Sequence, residues 1–120
     1  MSAQMGFDSA TATIAASGNL SGAVSLGAGR VRGLFIPSGW TTAVVTFLVS
    51  IDGTNYFELT DPRTNGYAAS SGYTAPAGQY VVVDPTLFDG IVSLKIRSGT
   101  SGSPVTQSSQ AVITIAQRLV

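Results

Sequence analysis

The chain has 120 residues, with six basic side chains against six acidic ones and charged residues only 10% of the total. Arg30, Arg32, Arg63, Lys95, Arg97 and Arg118 are too few and too scattered for the clustered basic footprint of a nucleic-acid binder. With no His and no Cys, disulfides, zinc fingers, thiol nucleophiles, Ser–His triads and histidine metal sites are all excluded.

Hydrophobic residues make up 44% of the chain, enough for one core in one domain with a radius of gyration of roughly 13–14 Å. They fall in ordered runs of strand length among Gly, Ser and Thr, which argues for a folded body over a low-complexity polymer. The longest nearly unbroken apolar run, Ala43 to Val49, is far short of the ~20 residues that span a bilayer. The start, MSAQMGFDSA, has neither the basic region nor the hydrophobic region of a signal peptide. Residues 1–10 read as an arm carrying Met5 and Phe7, and residues 11–120 as a single domain.

Apolar positions alternate or run in short blocks bounded by Gly, Pro, Asn or Ser, so strands are expected throughout. Thr11–Ala16 and Leu20–Leu26 are the first two, joined at Ser17-Gly18-Asn19. Val31–Ile36 is closed by Pro37-Ser38-Gly39. In Thr42–Ile51 the residues Ala43, Val45, Phe47, Val49 and Ile51 share one face, with Val44, Thr46, Leu48 and Ser50 on the other. Asp52-Gly53-Thr54-Asn55 predicts a hairpin, its Asp-Gly pair supplying positive φ angles, and Tyr56–Thr60 returns antiparallel. Residues 61–78 form a long excursion with room for one short strand near Tyr67. Gln79–Asp84 is a further strand, and Pro85–Gly90 a corner whose Leu87 and Phe88 plug the end of the core. Ile91–Arg97 alternates, a loop covers 98–110, and Ala111–Leu119 closes the chain. About eight strands without a helix indicate an all-β antiparallel sandwich. A jelly roll is the first topology and an immunoglobulin-like sandwich the second.

Motifs for chemistry are sparse. Gly27-Ala28-Gly29-Arg30-Val31-Arg32-Gly33 has the wrong spacing for a phosphate loop and no helix after it, so it reads as an inter-strand loop. Glycoside hydrolysis needs two carboxylates, and Asp52 with Glu58, or Asp84 with Asp89, are the candidates. Asp52 is explained by its turn, and Asp84 and Asp89 by the corner. No dense Asp/Asn run suggests calcium, and no cofactor or metal is expected. Trp40 is the single tryptophan. It reads as a cover for one end of the core with its indole N–H bonded nearby; the competing reading is a sugar-stacking platform of Trp40 with Tyr56, Tyr67 and Tyr73.

The surface carries more information. Zero net charge and apolar residues on both faces of some strands, such as Val44, Leu48 and Ala116, are poor equipment for a soluble monomer. Neighbouring copies or a larger assembly are expected to cover that surface and the open sheet edges.

Several blocks, in order, resemble phage-encoded small virion proteins of β-sandwich type. They are Gly33-Leu34-Phe35-Ile36-Pro37 with Trp40-Thr41-Thr42-Ala43, then Phe47–Tyr56, then Val83–Gly90 leading into Leu94–Thr100, and finally Pro104-Val105-Thr106-Gln107 with Ala111–Leu119. The similarity spans residues 11–120. The resemblance implies a non-enzymatic component of a tailed-phage particle, made in the host cytoplasm and carried on the capsid exterior. Within that class it implies a capsid decoration (cement) protein, a homotrimer bound to the major capsid protein or another virion protein, with neither nucleic acid nor membrane as partner. Met5, Phe7, Arg30, Arg32 and Arg63 are the expected shell contacts. The alternative is a tail or head-fibre module that grips host-surface carbohydrate through Trp40, Tyr56, Tyr67 and Tyr73.

Overall fold

The structure, a computed structural model, describes residues 7–27, 29–63 and 66–119. It contains β1 (Phe7–Ile14), β2 (Val24–Ser25), β3 (Gly29–Phe35), β4 (Ala43–Ser50), β5 (Phe57–Glu58), β6 (Tyr73–Ala75), β7 (Tyr80–Val82), β8 (Ser93–Ser98) and β9 (Ala111–Leu119), with one 3-10 turn at Pro85–Phe88. A four-stranded sheet has the order β1-β9-β3-β7, and a five-stranded sheet has β2-β8-β4-β5 with β6 also on β4. All pairings of these strands are antiparallel.

The chain pairs as a long hairpin folded over on itself. β1 pairs β9, β2 pairs β8, β3 pairs β7, and β4 pairs both β5 and β6. Rolling those nested pairs brings β9 beside β3 and β8 beside β4, which closes the two sheets. This is the jelly-roll order, so the immunoglobulin-like alternative is set aside. Among the described residues nine strands stand where about eight were expected, because the strand opposite β4 is split into β5 and β6 by the excursion between them.

The alternation read in the sequence fills the space between the sheets. Val45, Phe47, Leu94 and Ile96 of one sheet meet Ile14, Leu34, Ile113 and Ile115 of the other, each fully buried. Phe88 on the 3-10 turn closes one end, edge-on to Phe47 with centroids 5.3 Å apart. Asp84 caps that turn by accepting from the Thr86 N–H, as the corner reading anticipated. Trp40 is 5% exposed and donates its indole N–H to the Ala43 carbonyl at 3.3 Å, so its role as a core cover is found. The buried Gln107 ties the late loop to this region, bonding the Thr41 backbone on both sides and the Ser98 hydroxyl.

Three local expectations need correction. Phe7–Ala10, assigned to an arm, form the first half of β1, because the ladder to Arg118–Ile115 satisfies their backbone and Ala10 packs on the core. Leu20–Leu26 is regular only at Val24–Ser25. Before that, the Ser21 hydroxyl takes the Ile96 N–H and Leu20 makes one isolated bridge to Arg97. At the β4–β5 turn only Gly53 has positive φ (+80°), while Asp52 contributes its carboxylate, which accepts from the Thr54 and Asn55 N–H groups.

Candidate functional site

Two regions stand out, one a surface and one a cavity. The outward positions of the four-stranded sheet follow directly from register, because their neighbours in the chain point into the core. One row across the sheet is Thr11, Thr114, Phe35 and Tyr80, and the next is Ser9, Ala116, Gly33 and Val82. Thr13 faces Val112 beyond them. These rows carry no charge, and Phe35 (51%), Tyr80 (43%), Val82 (71%) and Val112 (41%) are exposed to water. The Tyr80 ring lies over Gly33, in space a Cβ there would occupy, and its centroid is 4.6 Å from that of Phe35.

The other sheet has part of its outer face under its own chain, while Val44, Leu48 and Lys95 on that face are half-buried and Glu58 is exposed. Thr46, Ser50, Ser93 and Arg97 point outward from β4 and β8, yet each is at most 7% exposed. The Gly99 carbonyl accepts from the Thr46 hydroxyl at 2.7 Å, and Gly72 packs on Thr46. Arg97 lies along this face, bonded through Nε to Thr46 and through both Nη atoms to Glu58. Arg97 holds the Glu58 carboxyl below its ordinary pKa, and burial opposes this only in part. Both Glu58 oxygens are thereby committed to a structural ion pair.

The cavity, about 370 Å³, lies where the excursion after β5 meets β6 and the 3-10 turn, and Asp61, Arg63, Tyr67, Tyr73, Asp84 and Leu87 are among its lining residues. Arg63 bridges two carboxylates, with Nε on both Asp61 oxygens and Nη2 on Asp61 and on Asp84 at 2.9 Å. Asp61 is pushed below its usual range chiefly by the Arg63 guanidinium, and Asp84 chiefly by the Thr86 hydroxyl; Arg63 is correspondingly held more firmly protonated. Tyr67 and Tyr73 stack with centroids 5.2 Å apart and planes at 24°. Burial raises both phenols, Tyr67 to about 12, so each keeps its proton at neutral pH.

The predicted site residues are thus distributed. Met5 lies outside the described residues, and of Phe7 only the backbone, opposite Arg118, is described. Arg30 pairs with Asp89 at 3.1 Å and stands opposite Arg118 in the ladder; Arg32, at a β-bulge, is exposed near them. Arg63 does not join this group but belongs to the cavity. Of the four aromatic candidates, Trp40 is buried, and Tyr56 is bound to the Ser93 hydroxyl with Lys95 over its ring at 4.6 Å. Tyr67 and Tyr73 reach the cavity wall, so no single platform joins all four. Asp61, Asp84 and Leu87 were not foreseen as its lining. The local signal was Asp61-Pro62-Arg63, a turn in which the Asp61 carboxylate accepts the Arg63 N–H at 3.0 Å.

Comparison with family models, with curated proteins and with solved structures returns no match.

Proposed function

We propose that this protein is a non-enzymatic phage structural protein, a decoration (cement) protein that assembles with copies of itself and stabilises the assembled head. The observation that carries this reading is the uncharged, exposed outer face of the four-stranded sheet, set against a second sheet whose outer face carries Lys95, Arg97 and Glu58 and lies partly under the chain's own loops. An uncharged sheet face that the chain's own loops leave bare presents itself to a neighbour. A protein that binds the closed shell and not its separated subunits shifts the equilibrium toward the intact particle. Many copies side by side achieve this without strong single contacts.

Arg30 and Arg32, with Arg118 beside Arg30 in the ladder, sit at one end of this face and supply the charged margin of the contact. The alternative module that grips carbohydrate through all four aromatics has less support, because Trp40 offers no exposed ring.

The test mixes the purified protein with heads lacking it and counts bound copies against the major capsid protein. Saturable binding at hundreds of copies, together with heads that survive higher temperature or chelation, supports the proposal. A chain that sediments as a monomer at high concentration and ignores heads overturns it.

A further inference from the structure

The cavity around Arg63 offers a chemistry that shell binding does not use. Its volume of about 370 Å³ lies at the lower end of small-molecule sites. Two ionised carboxylates against one guanidinium give it a net negative character, which disfavours phosphate and acidic sugars. The guanidinium between Asp61 and Asp84 already supplies the cation those carboxylates would otherwise seek.

Unspent hydrogen-bonding capacity remains in this small space. Arg63 Nη1 has no acceptor among the described residues. The Tyr73 hydroxyl accepts the Asp84 N–H at 3.1 Å, and its own proton has no acceptor among the described residues. Asp84 Oδ2 accepts one bond, from Arg63, although a carboxylate oxygen can take two. Half-buried Tyr73 and Leu87 add apolar surface. Donors and acceptors beside apolar surface match a neutral ring whose hydroxyls each donate and accept and whose C–H groups need dry contact.

We propose that the Arg63 cavity binds a neutral hexopyranose unit, with Arg63 Nη1 and the Tyr73 hydroxyl donating to sugar oxygens and Asp84 accepting from a sugar hydroxyl. An open cavity of this size and a ligand of a dozen or so heavy atoms give a dissociation constant on the order of 1 mM.

The experiment is a two-dimensional amide NMR titration of the full chain. The probes are methyl α-D-glucopyranoside, methyl α-D-mannopyranoside, methyl β-D-galactopyranoside and N-acetylglucosamine, with sodium sulfate and calcium chloride as ionic controls. At least one sugar is expected to move the Gly66, Gly72 and Asp84 amides and the Arg63 Nε–H signal saturably, while neither salt does. Tyr73→Phe and Arg63→Lys, checked for intact spectra, each weaken that binding by about tenfold through loss of a positioned donor. Val82→Lys, on the remote sheet face, leaves the titration unchanged even where head binding is lost, so this proposal and the assembly reading fail separately. No saturable shift with any sugar overturns the proposal. So do shifts of these signals by sulfate or calcium alone, or sugar shifts confined to residues outside the cavity.

Discussion

The Phe47 backbone N–H donates to the Tyr67 hydroxyl at 3.1 Å, and the two rings lie with centroids 5.8 Å apart. β5 covers β4 at Leu48 and Val49, and β6 covers it from Ala43 to Val45. Phe47 falls in the gap, and a side chain from the excursion takes the bond a neighbouring strand would have made. Tyr67→Phe keeps the ring and orphans a buried N–H. We expect a loss of ~1–3 kcal/mol, or roughly 4–12 °C in Tm, read by denaturant unfolding with Trp40 fluorescence.

The same phenol makes stability fall at high pH. Its folded pKa of about 12 lies above the unfolded value of 10.0, mainly through burial. The unfolded chain therefore releases this proton first, so stability is intact below pH 10 and declines as pH rises toward 12. The expected loss is on the order of 2–3 kcal/mol. Tyr67→Phe unfolds with a visibly flatter dependence across that window.

At the acid end, Glu58 is held below its ordinary value of 4.5 by Arg97. That contribution is present above the unfolded pKa and is lost as pH falls through the lower, folded one. Arg97 is 9% exposed at the side chain and Glu58 43%. Glu58→Gln, which leaves the guanidinium without its counter-charge, is therefore expected to cost ~1–2 kcal/mol, less than for a fully buried pair because water screens Glu58. Urea unfolding at pH 7 and at acid pH checks this: the gap between the variant and the parent narrows as the pH falls.

Gly33→Ala pits a methyl against the Tyr80 ring. Tyr80 sits on an edge strand and can swing away, giving up its cover of Gly33 and its contact with Phe35. The expected cost is ~1 kcal/mol, and it disappears in a Tyr80→Ala background, where the two sites no longer touch. A double-mutant cycle by chemical denaturation measures that coupling.

Val82 is 71% exposed on the uncharged sheet face. Val82→Lys should therefore change folding stability by no more than ~0.5 kcal/mol while abolishing self-association and head binding. Sedimentation velocity and head co-sedimentation on the same preparation separate the two effects.

Much of this molecule was written in its alternation. Val45, Phe47 and Val49, Leu94 and Ile96, and Ile113 and Ile115 each advertise a strand with one buried face, because side chains in a strand alternate regardless of which strand lies alongside. The capped corner at Asp84–Pro85 and the enclosed Trp40 were legible for the same local reasons. Alternation says nothing about distant backbone, so it could not reveal that Phe7–Ala10 had a ladder waiting in β9, or that the strand opposite β4 would be interrupted. The cavity lay further from view. Asp61 and Arg63 meet Asp84 only because the roll of nested pairs carries the excursion over the 3-10 turn. Most strands and their apolar faces could be read along the chain, since alternation depends on near neighbours. Which sheet stays bare and which carboxylates share one guanidinium emerge on folding, since those depend on contacts between segments far apart along the chain.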